Sequence, residues 1–231
     1  MTVSELPVLY SFRRCPYAMR ARLALHASQQ SVALREIVLR NKPEDFLKAS
    51  TSGTVPCLVG DVETLDESLD IMRWSLGVSD PEGWLDMPEV GWDWIARCDG
   101  PFKHALDRTK YGSRYPDQDP LEHRAHAAQF LKDLEDQMSD WIFEAPTIAD
   151  FAILPFVRQF AFIDKPWFDA QPWPKLQHWL QRFLASKAFA EIMLKYPPWA
   201  EGDPIILFPL RQHSQPAPDC QDAQRCSQKH A

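Results

Sequence analysis

The sequence predicts a mixed α/β half followed by an all-helical half. Three observations carry that reading. Residues 1–76 alternate short apolar runs with helical periods in the order β-α-β-α-β-β-α. Residues 77–88 interrupt every period with Gly, Asp and Pro, which marks a linker. Residues 89–210 carry helical periods only. A strand–helix–strand opening requires a parallel pair with a crossover helix, here extended by an antiparallel hairpin.

The first strand is Val8-Leu9-Tyr10-Ser11, followed by a basic turn, Phe12-Arg13-Arg14, and then Cys15-Pro16. Pro16 suits the first helical position, so Cys15 falls at or beside the N-cap of a helix over 16–27. Ala18, Ala21, Ala24 and Leu25 recur at helical spacing, with Arg20 and Arg22 off that stripe. Residues 34–39 read as a second strand, and Asn41-Lys42-Pro43-Glu44-Asp45 as a turn into a short helix through Phe46 and Leu47. Loop chemistry at 50–53 leads through Thr54-Val55-Pro56 into the strand Cys57-Leu58-Val59. Gly60-Asp61 then turns into 62–65 to close a hairpin. The last helix of this half starts at Glu67 or Ser68 and runs to about Trp74.

In the second half, Trp94, Cys98, Phe102 and Leu106 fall near one helical stripe, which Gly100-Pro101 is expected to break or kink. Leu131, Leu134, Met138 and Trp141 mark the buried face of another helix. Thr147-Ile148-Ala149-Asp150 has the form of a capping box with Asp at the third helical position. The apolar run 151–157 behind it reads as a central helix buried nearly all round. Residues 176–195 give one or two more helices, with Trp179, Leu180, Phe183 and Leu184 as core. Residues 211–231 are almost without apolar content and read as a disordered tail. Its His213, Cys220, Cys226 and His230 match no structural zinc spacing, so no metal site is expected.

Composition narrows the function. A net charge of -7 argues against nucleic acid or an anionic membrane as the main partner. No apolar run approaches the ~20 residues of a membrane span. The first residues lack the basic flank and apolar centre of a signal peptide. Five cysteines at irregular spacing do not form a disulfide framework, so a reducing cytoplasm is the expected location.

The chemistry concentrates at Cys15. The helix N-terminus, with its unpaired N–H groups, and the charges of Arg13 and Arg14 are expected to lower the thiol pKa. The plainer reading is a buried structural cysteine. Cys-Pro-Tyr-Ala lacks a second cysteine, so no dithiol cycle is available within it. Cys57 either resolves an intermediate or fills a buried strand position.

Taken in order, Cys15-Pro16-Tyr17-Ala18 at a helix start, Val55-Pro56, Glu67-Ser68, and Pro146-Thr147-Ile148-Ala149-Asp150 opening a central helix make a pattern. It resembles the cytosolic glutathione S-transferases over residues 6 to 210, and most closely their Omega class and its bacterial relatives. The resemblance implies a thioredoxin-like domain over 1–76, a linker at 77–88, a C-terminal helical bundle over 89–210 and the tail at 211–231. It also implies glutathione as co-substrate and a homodimer. Val55-Pro56 would be a cis-proline turn whose Val55 backbone pairs with glutathione like an added strand; the alternative is an ordinary trans proline. Glu67 and Ser68 would hold the γ-glutamyl end, supported by Asp66, although Glu-Ser at a helix start is also ordinary capping chemistry. Lys42 would reach the glycyl carboxylate, where the alternative is a solvated surface lysine.

The implied activity is glutathione-dependent thiol transfer or reduction, with Cys15 as nucleophile and a mixed disulfide with glutathione as intermediate. The acceptor classes are protein or small-molecule mixed disulfides, dehydroascorbate and glutathionyl ketones. Two alternatives stand beside it. One is conjugation of glutathione to electrophiles, for which Tyr10, Ser11 and Tyr17 are the nearby hydroxyls. The other is a non-catalytic scaffold on the same fold. Trp92, Trp94 and Phe102 line an acceptor site or belong to the core.

Overall fold

The computed structural model describes residues 6–61 and 63–210. The predicted tail, with Cys220 and Cys226, lies outside the described residues. In chain order the elements are β1 (Val8–Ser11), α1 (Pro16–Ser28), β2 (Val32–Glu36), α2 (Glu44–Ala49), β3 (Cys57–Val59), β4 (Thr64–Leu65) and α3 (Ser68–Val78). There follow α4 (Val90–Arg97), a π-helical turn (Cys98–Phe102), α5 (Lys103–Lys110), α6 (Pro120–Gln137) and α7 (Ile148–Ala161). The chain finishes with α8 (Lys165–Asp169), α9 (Pro174–Ala185), α10 (Lys187–Ile192) and β5 (Ile206–Phe208). No helix among the described residues is long and apolar enough to cross a membrane.

The sheet order is β4-β3-β1-β2-β5, with β1 and β2 parallel and the other pairs antiparallel. Strand alternation separates two cores. Leu9 and Leu58 face the large core under α1, while Tyr10 and Cys57 face a smaller one capped by Phe46 of α2. The second strand runs over 32–36 instead of 34–39. Register with β1, from Val8↔Ala33 to Ser11↔Glu36, ends where β1 ends, and the chain then turns back through a Val38↔Asn41 bridge. The fifth strand has no counterpart in the sequence-based reading. Residues 206–208 follow Pro204 and precede Pro209, and only pairing with β2 makes them a strand.

Helix α1 is buried nearly all round, because the sheet, α3, α7 and α10 all pack on it. Arg20 and Arg22, expected off the buried stripe, are both fully buried. Arg20 donates from Nε to the Ala152 carbonyl at 2.7 Å and from Nη1 and Nη2 to Asp99 at 3.0 and 2.5 Å. Arg22 donates to Ser11 Oγ at 2.8 Å and the Ile192 carbonyl at 2.9 Å, and pairs with Glu36. Buried guanidinium groups persist when their donors are taken up in this way.

Gly100-Pro101, expected to break or kink the helix, distorts it without ending it. Pro101 has no N–H to give, and the chain widens into one π turn, with the Lys103 N–H reaching the Cys98 carbonyl. The stripe of Trp94, Cys98, Phe102 and Leu106 therefore stays buried through α4 and α5. Phe102 stacks on Phe130 at 4.7 Å, so Trp94 and Phe102 are core residues. Helix α3 continues to Val78, past Trp74 and into the segment expected to be a linker.

Candidate active site

The site lies at the carboxyl ends of the parallel strands β1 and β2, the end of an α/β sheet where ligands usually bind. The turn after β1 brings Cys15 to the N-cap of α1, with Pro16 at its first position. The Cys15 N–H closes the turn on the Phe12 carbonyl at 2.9 Å. Its Sγ donates toward the Val55 carbonyl at 3.6 Å. The Val55-Pro56 bond is cis, the arrangement the sequence reading expected.

A cavity of about 400 Å³ opens over this pair. Cys15, Lys42, Val55, Pro56, Glu67 and Ser68 all line it, together with Tyr17, Leu39, Gly53, Thr54 and Asp66. Six residues singled out across the first half of the sequence thus meet at one place. Lys42 stands exposed at the rim and donates to the Gly53 carbonyl at 2.8 Å. Glu67 is the exposed N-cap of α3 but makes no capping bond with its side chain. Ser68 is buried and accepts from Arg20 Nη1 at 3.5 Å. Asp66 organises the loop opposite Cys15, accepting from Ser50 Oγ at 2.6 Å and the Ser52 N–H at 2.7 Å. Burial alone would raise its carboxyl, but these bonds outweigh it and hold Asp66 below the ordinary value.

The electrostatics of Cys15 correct the sequence-based expectation. Burial pushes its thiol above the ordinary cysteine value. The backbone N–H groups of Ala18 and Tyr17 and the charges of Lys103 and Arg20 pull downward without prevailing. The side chains of Arg13 and Arg14 are engaged elsewhere. Arg13 turns away to donate to the Met193 carbonyl at 3.1 Å, and Arg14 lies 5.3 Å over the Phe12 ring. Lys103 comes from α5, its Nζ 5.7 Å from the Tyr17 ring and paired with Asp107. Nothing local to Cys-Pro-Tyr-Ala marks a lysine so distant in sequence, and only the tertiary fold brings it against Tyr17.

The other candidates separate clearly. Cys57 is fully buried, and burial with Asp66 nearby pushes its thiol up to about 12, which makes it a strand residue of the small core. Ser11 is fully buried and accepts from Arg22, while Tyr10 is buried and its hydroxyl accepts from Arg35 at 2.5 Å. Of the three hydroxyls considered for activating a thiol, Tyr17 alone lines the cavity. Burial pushes its phenol up to about 12, so it is a hydrogen-bond donor at neutral pH. Among the described residues no group of three or more His, Cys, Asp or Glu side chains is placed to hold a metal.

Comparison with known proteins agrees with this architecture. Residues 9–77 match the model for the glutathione S-transferase N-terminal domain, and residues 93–182 the model for the glutathione S-transferase C-terminal domain. A glutathione transferase family member from Pseudomonas fluorescens, solved with two glutathione bound, is similar in structure. Its TM-score is 0.70 at 20% identity, over 84% of this chain and 94% of that one. A glutathione transferase from Pseudomonas putida, solved with glutathione disulfide, gives a TM-score of 0.70 at 19% identity over 84% and 93%. Glutathione transferase Omega 3C from Trametes versicolor gives 0.68 at 17% identity over 79% and 82%. At these identities the structural likeness establishes the fold. The two domain models, matched in order over well more than half of the sequence, establish the rest: the chain belongs to the glutathione S-transferase family.

Proposed function

We propose that the protein is a glutathione-dependent thiol transferase in which Cys15 is the nucleophile. The observation that carries the reading is the placement of the Cys15 sulfur 3.6 Å from the Val55 carbonyl, inside the cavity lined by Lys42, Glu67 and Ser68. In this reading glutathione lies with its cysteinyl backbone along Val55, its γ-glutamyl end at Glu67 and Ser68, and its glycyl carboxylate toward Lys42. Its sulfur then meets Cys15. Structural neighbours solved with glutathione or glutathione disulfide support the ligand, and the position of Cys15 in the cavity supports the cysteine chemistry.

The deprotonated Cys15 attacks the glutathionyl sulfur of a mixed disulfide. A Cys15–glutathione disulfide forms, the old S–S bond breaks, and the acceptor leaves as a thiolate that takes up a proton. A second glutathione, as thiolate, attacks the glutathionyl sulfur of that intermediate, releasing glutathione disulfide and the Cys15 thiolate. The family's general transfer chemistry, conjugation to electrophiles, needs a donor to stabilise the glutathione thiolate. Tyr17 is the group available for it, since Tyr10 and Ser11 are engaged elsewhere. The same reading carries a cytoplasmic homodimer.

Cys15→Ala decides between the chemistries. We expect thiol transfer from a glutathionylated peptide to fall to background, and the adduct of one glutathione seen by mass in the wild type to disappear. Thiol transfer retained in Cys15→Ala would overturn the assignment. Retention on immobilised glutathione by both proteins separates a failed mechanism from a failed ligand.

A further inference from the structure

We propose that Glu36 is a positioning residue of the site: its buried carboxylate holds the turn that presents Cys15 and ties that turn to the C-terminal segment. The inference rests on the reading of Cys15 as the reacting group.

The turn of residues 12–15 has one internal bond, from the Cys15 N–H to the Phe12 carbonyl at 2.9 Å. Its second residue, Arg13, sends its own N–H outward to Glu36 Oε1 at 2.7 Å. Glu36 is 8% exposed, and its other oxygen pairs with Arg22, which is fully buried. Arg22 is in turn fixed by Ser11 Oγ at 2.8 Å and by the Ile192 carbonyl at 2.9 Å, at the end of α10. The Glu36 backbone carbonyl accepts the Trp199 N–H at 2.7 Å. One residue therefore meets the Cys15 turn, the core of α1 and the returning C-terminal chain.

The fold does not need this carboxylate to pair its strands. Ser11 and Glu36 are already in register, and the Ile37 N–H bonds the Ser11 carbonyl at 2.9 Å. Apolar side chains in place of both Glu36 and Arg22 would satisfy that strand position and avoid desolvating two charges. What the Glu36–Arg22 pair adds is a fixed acceptor for one backbone amide, two residues before Cys15. Without it the turn keeps its internal bond and the Arg13 side-chain bond to the Met193 carbonyl. It loses the outward backbone bond closest to Cys15, which helps set where the sulfur stands against the N–H groups of Tyr17 and Ala18 and the Val55 carbonyl.

The test compares three variants of the full chain with the wild type. Arg13→Ala removes the side-chain contact with the Met193 carbonyl and keeps the amide. Arg13→Pro removes both, and proline is at home at the second position of a β-turn. Glu36→Gln removes the charge that faces Arg22. The readouts are Cys15 carbamidomethylation by iodoacetamide as a function of pH, kcat and KM for thiol transfer, and the thermal midpoint. Relative to Arg13→Ala, we expect Arg13→Pro to shift Cys15 modification to higher pH and to lower kcat roughly tenfold with little change in KM. Glu36→Gln should move the same two readouts in the same direction. A purely structural role would move the thermal midpoint alone. Agreement of Arg13→Pro with Arg13→Ala in both modification and kcat overturns the proposal, including the case in which Glu36→Gln fails to fold. If the wild type transfers no thiol, the thiol-transferase reading fails, while the modification profiles still decide the role of Glu36.

Discussion

Asp150 has no exposed surface and receives four hydrogen bonds, from the N–H groups of Thr147 and Ile142, from Thr147 Oγ1 and from Trp179 Nε1. One of these, from the Thr147 N–H, belongs to the capping box visible in the sequence, and the Thr147 hydroxyl adds a second from the same residue. The other two lock the 142 loop and α9 onto the start of α7, and no local pattern announces them. Asp150→Ala leaves buried donors unpaired and should cost about 3 kcal/mol or more of stability, read from urea unfolding. The same carboxylate has a pH signature. Burial raises it above the ordinary value, so the folded chain holds that proton more tightly than the unfolded chain does. Its contribution is full below the unfolded carboxylate value and declines as pH rises through the folded one. Asp150→Asn cannot titrate, and unfolding midpoints across the acid range should lose that slope.

At the scale of elements, β5 changes what the C-terminus does. After α10 the chain crosses back over the first half. The Trp199 indole lies 4.0 Å from the Arg35 guanidinium, and residues 206–208 then cover the free edge of β2. Phe208 is 1% exposed and is the main apolar anchor of that strand. Phe208→Ala should cost about 3 kcal/mol and leave β2 an open edge. Hydrogen exchange should report this as faster exchange of the Val32 and Leu34 amides, with the helices of the second half unchanged. Protection of β2 equal to the wild type would show that the strand is not held by this residue. The π turn teaches a related lesson: proline broke the hydrogen-bond pattern of α4 and α5 without ending the helix, because the buried stripe on either side still had a core to face.

Across the whole molecule, one large core runs from Leu9 in β1 to Phe208 in β5 and includes the centre of α7. Arg20 is the polar counterpart of that continuity, reaching from α1 to the Ala152 carbonyl in α7 and to Asp99 in the π turn, with its guanidinium 4.4 Å over Phe156. The two halves should therefore unfold as one unit, with coincident transitions by tryptophan fluorescence and far-UV circular dichroism. Arg20→Ala should lower that single transition by about 3 kcal/mol, because it strands Asp99 and the Ala152 carbonyl. Separate transitions in the wild type would contradict a shared core.

The sequence by itself determined the order of elements in the first half, from β1 to α3, the cap of α7 and the placement of Cys15 at the start of α1. Each of these depends on neighbours a few residues apart: alternation in a strand, spacing on a helix, a proline at the first helical position. Six of the residues that line the cavity were named as well, Cys15 from its place at a helix start and Lys42, Val55, Pro56, Glu67 and Ser68 through the family resemblance. Tertiary structure alone decided the rest. The environment of the Cys15 thiol depends on burial and on Lys103, which arrives from another helix. The pairing of Arg22 with Glu36 and of Arg20 with Asp99 depends on which faces of α1 are covered. Residues 206–208 became a strand only because β2 offered an unpaired edge. Local chemistry is written in local sequence, whereas burial and charge at a site are sums over everything the fold brings there.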